Sequence, residues 1–206
     1  MKGFISKALI ISVIFLLSGC ATYYRPINPP TLNYRVHDLQ DGIDLSYKYD
    51  VLQERGNKKY AKNEDKNQVR IVALKLTNFT DSTINIGRDA LFFSGKTEIY
   101  PLEPLIVKNM VKQSTPSYLL YLLFTVTTFS FTMNGSTTIY PIGYLLGPGL
   151  TIGNMATAAS ANRKLLNELN QYDLINRDVK KGETVYGIIG IRDNGFNPIS
   201  LIITKK

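Results

Sequence analysis

Between Lys112 and Arg163 the chain runs for 50 residues without one Asp, Glu, Lys, Arg or His. A water-facing surface does not dispense with charge over that length, so residues 113–162 must be buried in the fold, set against another copy, or set against lipid. Tyr118 to Phe131 is rich in Leu, Phe and Thr, and Asn134-Gly135-Ser136 spells a turn. Ile139 to Met155 is apolar but punctuated by Gly143, Gly147, Gly149 and Gly153. The pattern predicts an apolar, glycine-rich α-helical hairpin. Its contact residues are Leu119, Leu120, Leu122, Leu123, Phe124, Phe129 and Phe131 on the first arm. On the second, Gly143/Gly147 and Gly149/Gly153 have the small-x-x-x-small spacing that lets helices approach closely in lipid.

Three destinations are open to this hairpin. It dips into a bilayer, packs on the rest of the fold, or pools with hairpins of other copies. Missing charge favours lipid, because a charged side chain at the bilayer centre costs at least about 2.5 kcal/mol. Lys108, Lys112, Arg163 and Lys164 flank the ends, where headgroups would lie. Each arm holds only about 15 to 17 apolar residues, short of the roughly 20 that a spanning helix needs. Pro141 and Pro148 also interrupt the second arm. A re-entrant or interfacial hairpin therefore fits better than two crossings.

The N-terminus reads in the same direction. MKGFISK is basic, ALIISVIFLL (8–17) is a continuous apolar run, and Leu17-Ser18-Gly19-Cys20 follows. That order is a secretory signal, too short for a comfortable transmembrane helix. Leu17-Ser18-Gly19-Cys20 resembles the lipobox of bacterial lipoproteins, a resemblance covering residues 1–20. It implies diacylglycerol on the Cys20 thiol, cleavage between Gly19 and Cys20, and usually a third acyl chain on the new amine. Each buried CH2 contributes about 0.8 kcal/mol, so two or three chains hold firmly. Cys20 is the only cysteine, so no intramolecular disulfide competes for it. Removing residues 1–19 takes away two lysines and leaves 22 basic against 16 acidic residues, a net of about +6 that favours anionic headgroups. By analogy with the enteric sorting rule, Ala21 in place of Asp implies the outer membrane, and no acidic cluster follows Cys20 to support export onto the cell surface, so the expected facing is periplasmic.

Residues 20–36 contain Pro26, Pro29 and Pro30 and read as an extended tether. In 37–206, interrupted by 113–174, strands dominate. Ile43 to Val51 alternates apolar and polar strictly, which predicts a half-buried strand. Residues 54–68, with mixed charges, read as a solvated loop. Residues 69–76 are apolar on both faces, as in a central strand, and Ile84 and Ile86 read as its hairpin return after the Asn78–Ser82 turn. ALFFSGKTEIYPL (90–102) reads as two short strands around Gly95-Lys96. ETVYGIIGI (183–191) and ISLIIT (199–204) read as a closing pair around an Asp193-Asn194-Gly195 turn. Residues 156–174 form the clearest helix, with Ala158, Ala161, Leu165, Leu169 and Tyr172 on one stripe. About seven short strands predict a mainly β fold, an antiparallel β-sandwich. The NFTDSTINI hairpin and the KGETVYGIIGI strand resemble the style of immunoglobulin-like domains common in bacterial lipoproteins.

Chemistry is sparse. His37 is the single histidine and Cys20 is assigned to lipid, which removes Cys/His nucleophile pairs, His-based zinc sites and a Ser-His-Asp triad. Asp38, Asp41 and Asp44 lack the spacing of an EF-hand loop. Gly147 to Gly153 does not match the dinucleotide-binding spacing and no βαβ unit surrounds it. The expectation is a lipid-anchored, non-enzymatic envelope protein without cofactor, metal or nucleic-acid partner. It would bind an envelope protein or self-associate through the hairpin. The alternative is a module holding a lipid or other apolar ligand between sandwich and hairpin.

Overall fold

The computed structural model describes residues 20–34, 36–193 and 195–204. The signal segment 1–19 with Gly19, and Asn194 of the expected turn, lie outside the described residues. The strands are β1 (Val36–Gln40), β2 (Ile43–Lys48), β3 (Val69–Asn78), β4 (Ile84–Asn85), β5 (Ala90–Ser94), β6 (Thr97–Ile99), β7 (Phe129–Met133), β8 (Ser136–Tyr140), β9 (Asp178–Val179), β10 (Thr184–Arg192) and β11 (Ile199–Ile203). The α-helices are α1 (Val51–Glu54), α2 (Lys58–Asn67), α3 (Ile86–Asp89), α4 (Pro104–Val111) and α5 (Gly143–Gln171), with 3-10 segments at Pro29–Thr31 and Pro116–Val126. Among the described residues 38% are helical and 32% lie in strands, so the fold is mixed rather than mainly β. The chain forms two compact units. One comprises Tyr24–Lys112 and Asn162–Lys206; the other comprises residues up to Tyr23 and Gln113–Ala161.

The larger unit is built on antiparallel sheets ordered β1-β2-β3-β10 and β11-β5-β6, with a small β4-β9 pair. As its two-sided apolar pattern predicts, β3 is central, paired with β2 on one side and β10 on the other. Ile43, Leu45 and Tyr47 of β2 are buried with Val72, Leu74, Leu76, Phe92 and Leu201 in one core drawn from both sheets. The Asp41-Gly42 turn, with φ of 51° and 78°, closes a β1–β2 hairpin that the charge pattern had hidden. His37, on β1, places Nδ1 2.8 Å from Ser46 Oγ and 3.7 Å from Asp44.

Several expectations are corrected. Ile84 pairs with Val179 rather than returning along β3, and Ile86 opens α3. β10 and β11 fall in different sheets, so no hairpin joins them. The charged segment 54–68 contains α2, because Tyr60 and Glu64 share one face at helical spacing and both are buried. The Tyr60 hydroxyl donates to Asn162 Oδ1 at 3.1 Å, and Glu64 Oε1 accepts the Ile71 N–H at 2.7 Å. The segment expected as a stand-off tether is docked from Tyr24 onward. Tyr24, Ile27, Pro29 and Leu32 are buried. The Glu168 carboxylate accepts the Tyr24 hydroxyl and the N–H groups of Ile27 and Asn28. Asn57 accepts the Arg25 N–H and donates to its carbonyl, while Arg55 Nε donates to the Ile27 carbonyl.

Helix α4 is held at both ends. At Gly190 of β10 a Cβ would collide with Val107, so the glycine lets the helix approach the strand. Val107 and Val111 are buried, and Asn63 and Asn67 of α2 donate to the carbonyls of Met110, Val111 and Lys112.

Candidate functional site

The smaller unit contains the charge-free stretch and Cys20. Its first arm is not α-helical: Pro116–Val126 forms a 3-10 segment and β7–β8 follows as a hairpin. Only the second arm is α-helical, and α5 begins at Gly143 rather than near residue 156. Asn134 and Gly135 take φ of 51° and 83°, the left-handed pair that a tight two-residue hairpin turn requires. That turn, and the Thr-rich sequence around it, win over helix formation. Pro148 sits inside α5; the carbonyl deprived of its N–H partner belongs to Tyr144, an exposed residue near the helix start.

The expected contact residues are almost all at the surface. Leu119, Leu120, Leu122 and Leu123 are exposed on the 3-10 segment, Leu123 at 72%, and Phe124 is half-buried. Register puts Phe129, Phe131 and Met133 on one face of the hairpin with Tyr140, and Ser130, Thr132 and Thr137 on the other with Ile139. Every residue of both strands is exposed. Tyr144, Leu145 and Ile152 of α5 are exposed too, Leu145 at 82%. Of the exposed large hydrophobic side chains among the described residues, 15 lie between Leu119 and Ile152 and eight lie elsewhere.

The two glycine pairs separate. Gly143 and Gly147 are buried against the end of the 3-10 segment. A Cβ on Gly143 would strike the carbonyl oxygens of Phe124 and Thr125; one on Gly147 would strike Thr125 Oγ1. Gly149 and Gly153 meet nothing within 4 Å and are exposed.

Cys20 is half-buried in this same unit. Its sulfur lies within hydrogen-bonding reach of the Tyr121 hydroxyl, and burial followed by the cysteine raises that hydroxyl above its ordinary range. Tyr118 stacks on Tyr121 with ring planes 4° apart and centroids at 6.2 Å. The chain after Cys20 is clipped: Asn154 Oδ1 accepts the Ala21 N–H, and Gln113 exchanges two hydrogen bonds with Thr22. Sequence reasoning missed Gln113, Tyr118, Tyr121 and Asn154 as neighbours of the Cys20 segment, because their contacts span about a hundred residues and leave no local pattern.

No helix among the described residues is long and apolar enough to cross a membrane. Among the described residues no group of three or more His, Cys, Asp or Glu side chains comes together. No protein-family model, characterised protein or solved structure matches this chain.

Proposed function

We propose that this chain is a lipid-anchored, non-enzymatic protein of the bacterial envelope whose charge-free unit seats in the bilayer beside the acylated Cys20. One observation carries the reading: the cysteine of the lipobox-like motif lies in the same unit as the 15 exposed hydrophobic side chains. Monomeric soluble proteins rarely expose a large apolar patch without a partner. Acyl chains leaving the Cys20 sulfur would start next to the Tyr118 and Tyr121 rings, and aromatic side chains of this kind suit the membrane interface. The depth reached is interfacial, since β7 and β8 hold only five residues each against the 9–11 or so of a spanning strand. Ala21 supports an outer-membrane location, and the lack of an acidic cluster after Cys20 supports a periplasm-facing one. The two antiparallel sheets around one core support an immunoglobulin-like sandwich as the finer description of the larger unit.

The chain contains no Trp, so Phe131→Trp supplies a sole fluorescent reporter. In the acylated protein reconstituted into vesicles, its emission should shift to the blue and be quenched by brominated phospholipid. Emission typical of water, unquenched, would sink the bilayer reading.

Assembly between copies is the second reading, favoured by one feature. The outer edges of β7 and β8 have no ladder partner among the described residues, and neither strand contains a charge or proline to deter pairing. A detergent-extracted species larger than one chain supports it. A single chain that co-purifies with lipid would instead support the ligand-holding alternative.

A further inference from the structure

Helix α4 lies outside the charge-free unit and presents a face of a different kind. At about 100° per residue, Lys108, Lys112, Leu105, Asn109 and Ile106 fall in that order on one arc, opposite the buried Val107 and Val111. Leu105 and Ile106 are exposed at 53% and 42%. Lys108 Nζ and Lys112 Nζ both donate to Asn109 Oδ1, at 3.2 and 3.3 Å. The two ammonium groups thus converge on one neutral oxygen, and neither is paired with a carboxylate among the described residues. Some cations of the larger unit do have such partners: Lys48 with Glu54, Arg70 with Asp65, Lys181 with Asp81. Nor are these lysines needed at the helix end, where Asn63 and Asn67 already serve the last carbonyls. Like charges at i and i+4 repel. An anion bridging them would replace that repulsion with two charge-assisted hydrogen bonds.

We propose that α4 docks on a bilayer containing anionic phospholipid, with Lys108 and Lys112 together taking a headgroup phosphate and Leu105 and Ile106 entering the acyl boundary. Exposed apolar side chains sharing one arc with a pair of cations are the composition of an interfacial helix. The chain passes from Lys112 directly into the charge-free residues. The inference extends the membrane reading and takes up two of its flanking lysines, but it is carried by the exposed arc of α4 rather than by the side chains of residues 119–152, so each can fail without the other.

The test uses the chain from residue 20 onward carrying Cys20→Ser, so that no acyl chain contributes. Binding is measured to phosphatidylcholine vesicles with and without phosphatidylglycerol. Phosphatidylglycerol should tighten binding. Lys108→Gln/Lys112→Gln should lose about fivefold of that gain per cation and leave binding to phosphatidylcholine unchanged. Lys108→Arg/Lys112→Arg should retain the gain. Lys96→Gln/Lys180→Gln, which removes equal charge elsewhere, should retain most of it, and Leu105→Ser should weaken binding to both vesicles. Equal losses from the two Gln pairs, or none from Lys108→Gln/Lys112→Gln, would overturn the proposal. Running the Phe131→Trp reporter of the acylated protein beside these variants keeps the readings apart. A silent reporter in the acylated protein together with lysine-dependent binding refutes the bilayer seat of residues 113–162 and supports the α4 dock; an inserted reporter in the acylated protein together with lysine-indifferent binding does the reverse.

Discussion

At the scale of single residues, two buried carboxylates hold the larger unit together in different ways. Glu168 replaces the solvent of three donors at once: the Tyr24 hydroxyl and the N–H groups of Ile27 and Asn28. Burial, and then the Glu168 carboxylate, push the Tyr24 hydroxyl well above its ordinary range, which keeps it a donor. Glu168→Ala strands those donors and should cost about 3 kcal/mol, read as a lower urea midpoint and as new protease cleavage between Cys20 and Tyr34. Glu64 behaves otherwise. Burial pushes its carboxyl from the usual 4.5 up to about 8, against the opposing pull of the Ile71 N–H and Arg70. Between those values the folded chain keeps a proton that the unfolded chain has released. Its contribution is therefore full below about 4.5 and is lost as pH rises through about 8. Glu64→Gln does not titrate, so its urea midpoint should hold flat across that window where the parent declines, by at most about 1.4 kcal/mol per pH unit. Parallel declines in parent and variant would refute this.

At the scale of elements, the small-x-x-x-small pattern of α5 divides into a structural half and an open half. Gly143 and Gly147 let the helix touch the backbone of Phe124–Thr127, and the Gly143 N–H donates to the Thr127 carbonyl at 2.8 Å. Gly147→Ala drives a methyl group into Thr125 and should destabilise the smaller unit by about 1–3 kcal/mol. Gly149→Ala, in open space within a helix, should stabilise by about 0.5–1 kcal/mol. Thermal unfolding monitored by circular dichroism decides between them; equal effects at both sites would contradict the packing described. The amphipathic period of residues 156–174 was readable, and Ala158, Ala161, Leu165 and Leu169 are buried as it requires. Tyr172 lies just past the end of α5 and is half-buried. The first half of α5 was not readable, since Pro148 and four glycines argue against a helix that tertiary contact nonetheless maintains.

At the scale of the whole molecule, the docked segment changes how an anchored protein would stand at a membrane. Residues 20–36 read as an extended tether, yet only Ala21, Thr22 and Tyr23 separate Cys20 from the docked Tyr24. Fully extended, that link reaches no more than about 14 Å, so acylation of Cys20 would hold Tyr24 within that distance of the anchored residue. Metabolic labelling with a palmitate analogue should mark the mature protein, and Cys20→Ser should abolish the label and shift the protein toward the soluble fraction. An unlabelled parent protein would remove the anchor, and with it the envelope placement. Release by alkaline carbonate of the Cys20→Ser variant made without residues 1–19 measures what the charge-free unit and α4 contribute without acylation.

Local order was legible from residues 1–206 because it is periodic: strict alternation marked β2, a two-sided apolar run marked β3, and turn residues marked the start of β10 and the β5–β6 and β7–β8 reversals. Absence of charge marked residues 113–162 before any geometry was known, because burial or lipid contact excludes charge along the chain itself. Partnership was not legible. That Asp41-Gly42 closes a hairpin, that Glu64 and Tyr60 turn a charged loop into a helix, that Glu168 captures the N-terminal segment, and that Cys20 settles beside Tyr121 all depend on groups distant in sequence. Hydrogen bonds and steric fit act across space, and a linear pattern records only those partners that recur at a fixed spacing.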